Sequence, residues 1–392
     1  MAHIQKRRGY EGVALTVPVT VPYERYSIRG AHWFLGQAVR ALVQGSGLGK
    51  DQIDGLTVSS FSLAPDTAVG VTQHLGLSPR WLDHIPTGGA SGVMALRRAA
   101  RAVQCGDAEV VACVAADTNH VDSFRQTLGA FSDFARDASY PYGSGGPNSM
   151  FAFITAHYMR TYGARREDFG RIAVAQRANA LKNPNALFKK PLSLDEYMAA
   201  RPISEPIHLF DCVMPCAGAE AFLVMAPERA RDLGLPHVLL RGAIERHNAF
   251  ADDPVMVRGG WAMDQGDLYA QAGLQPQDID LLQTYDDYPV IAMMQFEDLG
   301  FCAKGEGPAF VRARDLTVAG DFPQNTSGGQ LSCGQAGAAG GFIGMTETIR
   351  QLTGQAGERS VAGARHGLVG GFGMVTYDRC LCTGAVILGK SE

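Results

Sequence analysis

The segment Thr87-Gly88-Gly89-Ala90-Ser91-Gly92-Val93-Met94-Ala95-Leu96 joins an extended stretch, 83–87, to a helix predicted over 93–104. That helix ends at the turn Cys105-Gly106-Asp107, and residues 109–116 follow as an almost unbroken apolar run. A run without polar alternation suits a parallel strand buried on both faces. The helix opens with small residues, so other backbones can come close to it. Its pattern is that of a central helix covered on two sides.

Downstream, the grammar changes and then returns. Between about 118 and 206 the chain carries Pro141, Gly143-Ser144-Gly145-Gly146-Pro147, Asn183-Pro184-Asn185 and Lys189-Lys190-Pro191, with helical periodicity over 150–162 and 166–181. This reads as an inserted subdomain of helices and loops. The core resumes around 211–225. Strand-like stretches at 238–243 and 279–283 then lead to Ser327-Gly328-Gly329 and Gly334-Gln335-Ala336-Gly337, a second small-residue helix over 338–352, a glycine-rich loop at 367–373 and a final buried strand at 380–388. Twice, a glycine-rich turn feeds an Ala/Gly-rich helix between apolar strands, which predicts a two-halved α/β protein with internal duplication.

Composition narrows the function classes. Of 392 residues, 46% are hydrophobic and 19% charged, the profile of a globular protein. A net charge of −4 gives no electrostatic case for nucleic acid or an anionic membrane. The one basic cluster, Lys6-Arg7-Arg8, reads as a solvated tail, and no apolar stretch follows it as a secretion signal requires. No apolar run has membrane-spanning length, so no membrane insertion and a cytoplasmic location are expected. The 8 cysteines show neither paired CxxC motifs nor zinc-like Cys/His spacing. No metal is expected in this chain, and most cysteines read as small core residues.

The ordered motifs resemble those of thiolases, in the sterol-carrier-protein and lipid-transfer-protein branch, over nearly the whole chain. The resemblance rests on Gly89-Ala90-Ser91-Gly92, Gly106-Asp107-Ala108-Glu109-Val110-Val111, Leu209-Phe210-Asp211-Cys212, Tyr285-Asp286-Asp287-Tyr288, Asn325-Thr326-Ser327-Gly328-Gly329 and Gly334-Gln335-Ala336-Gly337. It implies a thiolase fold of two pseudo-symmetric βαβαβαββ halves, 1–235 (with the insertion at about 118–206) and 236–392, layered α/β/α/β/α. It further implies a homodimer.

The same resemblance exposes what is missing. Thiolases deliver a nucleophilic cysteine at the position of Gly89, where a helix N-terminus favours a thiolate and an oxyanion. Nothing at Gly88, Gly89 or Ala90 can form a thioester, and Ser91 reads as a capping or packing residue. Where relatives carry His-Asp-Cys-Phe or Asn-Glu-Ala-Phe, this chain has Tyr285-Asp286-Asp287-Tyr288; where they carry Gly-His-Pro, it has Gly334-Gln335-Ala336. No cysteine stands between Gly367 and Gly373.

A thiolase cavity stripped of that apparatus can still bind a CoA thioester and stabilise an enolate, which suffices for aldol or retro-aldol chemistry without a covalent intermediate. Cysteine-deficient thiolase-like proteins of steroid side-chain degradation are retro-aldolases that use tyrosines for proton transfer. They act with a small zinc-ribbon and OB-fold partner, and the resemblance implies an α2β2 complex of that kind here. It points to Tyr285 and Tyr377 as the proton-transfer pair, with the assignment of acid and base open. Gly89, Asn325, Gln335 and Gly373 are expected to bind substrate or an oxyanion, with Asp286 and Cys333 as further candidates. Coenzyme A enters as part of the substrate, with no bound cofactor. Gly89 in place of cysteine is also expected to enlarge the cavity for a branched tertiary alcohol. Two other readings stay open: a thiolase or acyltransferase on β-ketoacyl-CoA, with Cys333 as its thiol, and a non-catalytic CoA- or lipid-binding subunit.

Overall fold

The computed structural model describes residues 9–120, 140–143 and 146–391. The Lys6-Arg7-Arg8 cluster and residues 121–139 and 144–145 of the expected insertion lie outside the described residues.

Nine strands form one mixed sheet: β1 (Ala14–Glu24), β2 (Gly55–Ser59), β3 (Trp81–His84), β4 (Val110–Asp117), β5 (Ala217–Met225), β6 (His237–His247), β7 (Leu281–Gln283), β8 (His366–Thr376) and β9 (Arg379–Lys390). Their order is β3-β2-β4-β5-β1-β6-β9-β8-β7. β2 pairs in parallel with β3 and β4, and β7 with β8, whereas the remaining pairs are antiparallel. The two halves meet where Ala14, Leu15 and Thr16 of β1 pair with Leu239, Val238 and His237 of β6.

The helices sort into layers by their side chains. α1 (Ala31–Ser46) buries Phe34, Leu35, Ala38, Val39 and Leu42, a stripe at three- and four-residue spacing, and stops at Gly47 in the left-handed region. It packs on β1, β4 and β5; α2 (Ala68–Leu75) covers β3. On the far side of the molecule α6 (Trp261–Ala272) packs on β6 and β9 and against α7 (Pro289–Asp298). Between the two halves lie α3 (Ser91–Cys105) and α8 (Ile343–Leu352), each touching strands of both halves. The result is a large mixed sheet with α1 and α2 packed on strands of its first half, α6 on strands of its second, and α3 and α8 on strands of both, the arrangement expected of a thiolase fold. α4 (Gly146–Tyr162) and α5 (Arg166–Ala180) come from the middle of the chain and close over the second half, where α5 packs on α7.

Two sequence expectations change. The glycine-rich stretch 367–373 is no loop: it is the body of β8, buried along almost its whole length. And the third strand of the second half, the counterpart of β3, shrinks to a single bridge between Leu282 and Gln324. Pro323 offers no N–H to a ladder, and Asn325 turns away with φ +44°.

The central layer depends on missing side chains. A Cβ at Gly92 would lie 2.1 Å from the backbone oxygen of Gly341, and one at Gly341 would lie 2.5 Å from that of Gly89. Backbone cannot yield as a flexible side chain can. Gly92→Ala is therefore expected to cost about 3 kcal/mol, the upper end for overpacking a core, read as a lowered denaturation midpoint.

Candidate active site

The turns after β2, β3, β4 and β7, the C-terminal end of β8, the start of α4 and the segments 212–216 and 335–337 surround a cavity of about 240 Å³. Loops from both halves are tied together beside it by Asp117, at the end of β4. Its carboxylate accepts from the backbone N–H of Phe61, Ser62 and Ala338, at 2.7–2.9 Å, and from the hydroxyls of Ser60 and Ser62. With those donors engaged, Asp117 organises the wall and has little capacity left for substrate.

Tyr285, Gly89, Gln335 and Gly373, four of the expected site residues, all line this cavity. Tyr285 follows β7 on a backbone held at two points by one side chain. Its N–H donates to Gln295 Oε1 at 3.1 Å, while Gln295 Nε2 donates to its carbonyl at 2.8 Å. The ring stacks on Phe372 of β8 with an interplanar angle of 18°. Gln335 Nε2 donates to the phenol oxygen at 3.1 Å. Gln335 is itself fixed, because its N–H donates to Met214 O and its carbonyl accepts from Cys216 N–H, both at 2.9 Å. Burial, reinforced by the charge of Asp287, pushes the Tyr285 phenol well above its ordinary range, against the opposing hydrogen bond from Gln335.

Gly89 corrects one expectation. The volume freed by a missing cysteine side chain is not open to substrate. A Cβ there would stand 1.9 Å from Cε2 and 2.0 Å from Cζ of Tyr285, and 2.4 Å from the Phe372 carbonyl oxygen. The phenol ring occupies the space into which a nucleophile at position 89 would project. Gly373 allows a similar approach, since a Cβ would fall 1.9 Å from Thr87 O.

The other candidates fall elsewhere. Asp286 faces inward and accepts from the N–H groups of Gln330 and Leu331 at 3.0 and 3.3 Å; burial nevertheless raises it to about 6. Its neighbour Asp287 lines the cavity, and its Oδ1 is buried with no hydrogen-bond partner among the described residues. Burial, then the proximity of Asp286, raises Asp287 well above the carboxylate range. Adjacent residues point apart, and Asp286, the one expected from sequence, is the structural one. Asn325 turns the backbone near Asp286 and lies off the cavity wall. Ser91 donates to Ile85 O and is fully buried, a packing role.

Cys333 lies outside this cavity altogether. It borders a second, polar cavity with Glu220 and Glu347, its thiol donates to Ser327 O at 2.9 Å, and burial pushes it up to about 12. A thiol so protonated and so placed is a poor nucleophile for the first cavity. Tyr377 is the first residue of the turn between β8 and β9, with φ +53° and 44% exposure. It is not among the lining residues, although Met374 and Val375 just before it are. Conversely, Cys212 and Cys216, core residues by their sequence context, both line the cavity, as do Tyr288 and Asn148. Tyr288 closes the Tyr-Asp-Asp-Tyr motif; Asn148 has no sequence signal beyond following Gly146-Pro147 at a helix start.

Comparison with known proteins fits this geometry. Residues 242–389 match the model of the thiolase C-terminal domain-like family. The chain is 34% identical over 335 residues to the steroid side-chain-cleaving aldolase of Thermomonospora curvata, covering 81% of this chain and 84% of that protein. It is 33% identical over 351 residues to the 17-hydroxy-3-oxo-4-pregnene-20-carboxyl-CoA lyase of Mycobacterium tuberculosis, covering 85% and 89%. Among solved structures, an Ltp2-ChsH2(DUF35) aldolase superposes with a TM-score of 0.84 at 30% identity, over 97% of this chain and 98% of that one. A monomeric SCP2-thiolase-like protein from Mycobacterium smegmatis, at 15% identity and a TM-score of 0.71 over 97% of this chain and 77% of its own, shares the fold.

The contact at position 89 yields a test. Gly89→Ala is expected to destabilise the protein by about 1–3 kcal/mol. In a Tyr285→Ala background, part of that cost should disappear, because the ring it strikes is gone. Denaturant titration of the four proteins of this cycle measures the coupling.

Proposed function

This chain belongs to the thiolase superfamily, in the branch that includes the steroid side-chain-cleaving aldolases, and from that premise we propose that it is an acyl-CoA retro-aldolase. It cleaves the Cα–Cβ bond of a β-hydroxyacyl-CoA of steroid side-chain or aromatic type, releasing a ketone or aldehyde and a shorter acyl-CoA. One observation carries the reading: the phenol of Tyr285 fills the volume above Gly89 that an acyl-accepting side chain would need. The relatives' names and the apolar walls from Phe61, Phe151, Phe372 and Met374 support the substrate class.

The step balances without a covalent intermediate. The β-hydroxyl loses its proton to a base, its oxygen forms the carbonyl, and the Cα–Cβ electron pair moves into the thioester to give an enolate. A proton is then returned to Cα. Tyr285 is the proton-transfer group beside the reacting carbon. Burial keeps it a phenol in the empty cavity, ready to donate, and Gln335 supports the phenolate that results.

For the group that takes the hydroxyl proton two residues compete. Asp287 lines the cavity with a free carboxyl oxygen, whereas Tyr377 reaches substrate only if the hairpin turn folds inward. Tyr285→Phe is expected to lower kcat by about 10²–10⁴. Of Tyr377→Phe and Asp287→Asn, the one that removes the base gives a loss of similar size, and the other stays within about tenfold of the parent. Product analysis by chromatography after incubation with β-hydroxyacyl-CoA esters reads all three.

The acyltransferase reading predicts a mass increase on the protein after incubation with acyl-CoA; the aldolase reading predicts none, and a stable acyl adduct would sink it. For assembly, we propose a homodimer carrying two copies of a small zinc-ribbon and OB-fold partner. The matched Ltp2-ChsH2(DUF35) aldolase is named for two components, which supports the partner, and the half-buried edge strand β3 supports pairing between copies. A CoA thioester substrate goes with a cytoplasmic site of action. No described helix is long and apolar enough to cross a membrane. Coexpression with such a partner should give a complex holding two copies of each chain by light scattering, and a chain that elutes alone would count against it.

A further inference from the structure

Asn148, in the first turn of α4, lines the same cavity and has no part in the proton transfers. The hydroxyl of Tyr288 donates to its Oδ1 at 2.5 Å, and the thiol of Cys212 shares its one proton between the same oxygen, at 3.7 Å, and His208 O, at 3.6 Å. Tyr288 is held in place by stacking on Phe151, with centroids 3.9 Å apart. Burial keeps both groups protonated, raising the Cys212 thiol to about 12 and the Tyr288 phenol well above its usual range. An amide whose oxygen accepts the Tyr288 hydroxyl proton has one orientation, and its NH₂ group is left facing other partners.

The rest of the wall shows why that donor matters. Among the described residues no Lys, Arg or His lines the cavity, so negative charge developing on a substrate must be met by neutral donors. Three side-chain amides are present. Asn119 Nδ2 is taken by the carbonyls of Arg25 and Pro215, and Gln335 Nε2 by Tyr285. Asn148 Nδ2 alone has no acceptor among the described residues. The start of a 17-residue helix adds the positive end of its dipole at the same place.

We propose that Asn148 is a catalytic residue whose Nδ2 donates to the thioester oxygen as it becomes an enolate, with Tyr288 and Cys212 as positioning residues that fix the amide. The assignment rests on the retro-aldolase reading. It also makes a binding prediction that needs no turnover.

The test uses the full chain, with its small partner where one is required. Asn148→Ala should lower kcat by about 10²–10³, the loss expected for one oxyanion donor, with KM changed little because the interaction is made chiefly in the transition state. Tyr288→Phe, which keeps the amide but loosens it, should fall between parent and Asn148→Ala. In parallel, affinities are measured for two uncleavable CoA analogues, one with a nitronate in place of the thioester enolate and one a plain thioether. The parent should prefer the nitronate, Asn148→Ala should lose that preference, and its thioether affinity should stay unchanged, which a folding defect would not allow. Retained preference in Asn148→Ala, equal affinities in the parent, or a kcat within a few fold of the parent would each overturn the assignment. Failure of the parent to cleave any β-hydroxyacyl-CoA would instead remove the retro-aldolase reading, and the analogue comparison would still decide whether Asn148 binds an enolate-like oxygen.

Discussion

The Tyr285 ring and the backbone of Gly89 compete for one volume, and the site is organised around that exclusion. A Cβ at 89 would be within 2.0 Å of the ring, so no side chain at 89 can coexist with this tyrosine where it stands. Loss of the thiolase cysteine and gain of the phenol are therefore a single steric event. Where thiolases place a soft nucleophile at a helix start, this chain has glycine, with a buried phenol from a strand end in the freed space. The chemistry changes class accordingly, from acyl transfer to proton-coupled cleavage of a carbon–carbon bond.

Such a contact holds only if both partners are rigid. On one side, α3 and the 337–342 segment touch backbone to backbone at Gly92 and Gly341, leaving no slack in the central layer. On the other, Gln295 grips both backbone groups of Tyr285, and Phe372 supports its ring. The phenol oxygen then meets Gln335, whose own backbone is bonded on both sides to 214–216. Preorganised groups need not reorganise as charge develops, which is where fixed dipoles gain over water.

Burial sets the protonation pattern. Tyr285, Tyr288 and the Cys212 thiol are all pushed up by desolvation and stand in the empty cavity as neutral donors, and no Lys, Arg or His lines it among the described residues. The apolar walls from Phe61, Phe151, Phe372 and Met374 admit a hydrophobic acyl group readily. Negative charge that develops on the substrate during reaction meets a low dielectric, which strengthens each hydrogen bond that receives it.

The layered fold and the exchanged reaction were both legible in the chain. Apolar runs without alternation mark strands covered on both faces, glycine-rich turns mark the entries to the buried helices, and Gly89 with Tyr285-Asp286-Asp287-Tyr288 marks an altered catalytic centre. These signals are local, because burial and backbone approach leave their mark on each residue's own type. What depended on distant partners was not legible. Whether Asp286 or Asp287 faces the cavity is set by the N–H groups of Gln330 and Leu331, 44 and 45 positions away. That the space above Gly89 is full rather than open follows from a ring 196 positions along the chain. Asn148 gains its orientation from Tyr288 and Cys212, and Tyr377 sits on a turn whose direction no motif encodes. Residue types bound the possible chemistry, but only the meeting of segments far apart in the chain decides which groups share one cavity.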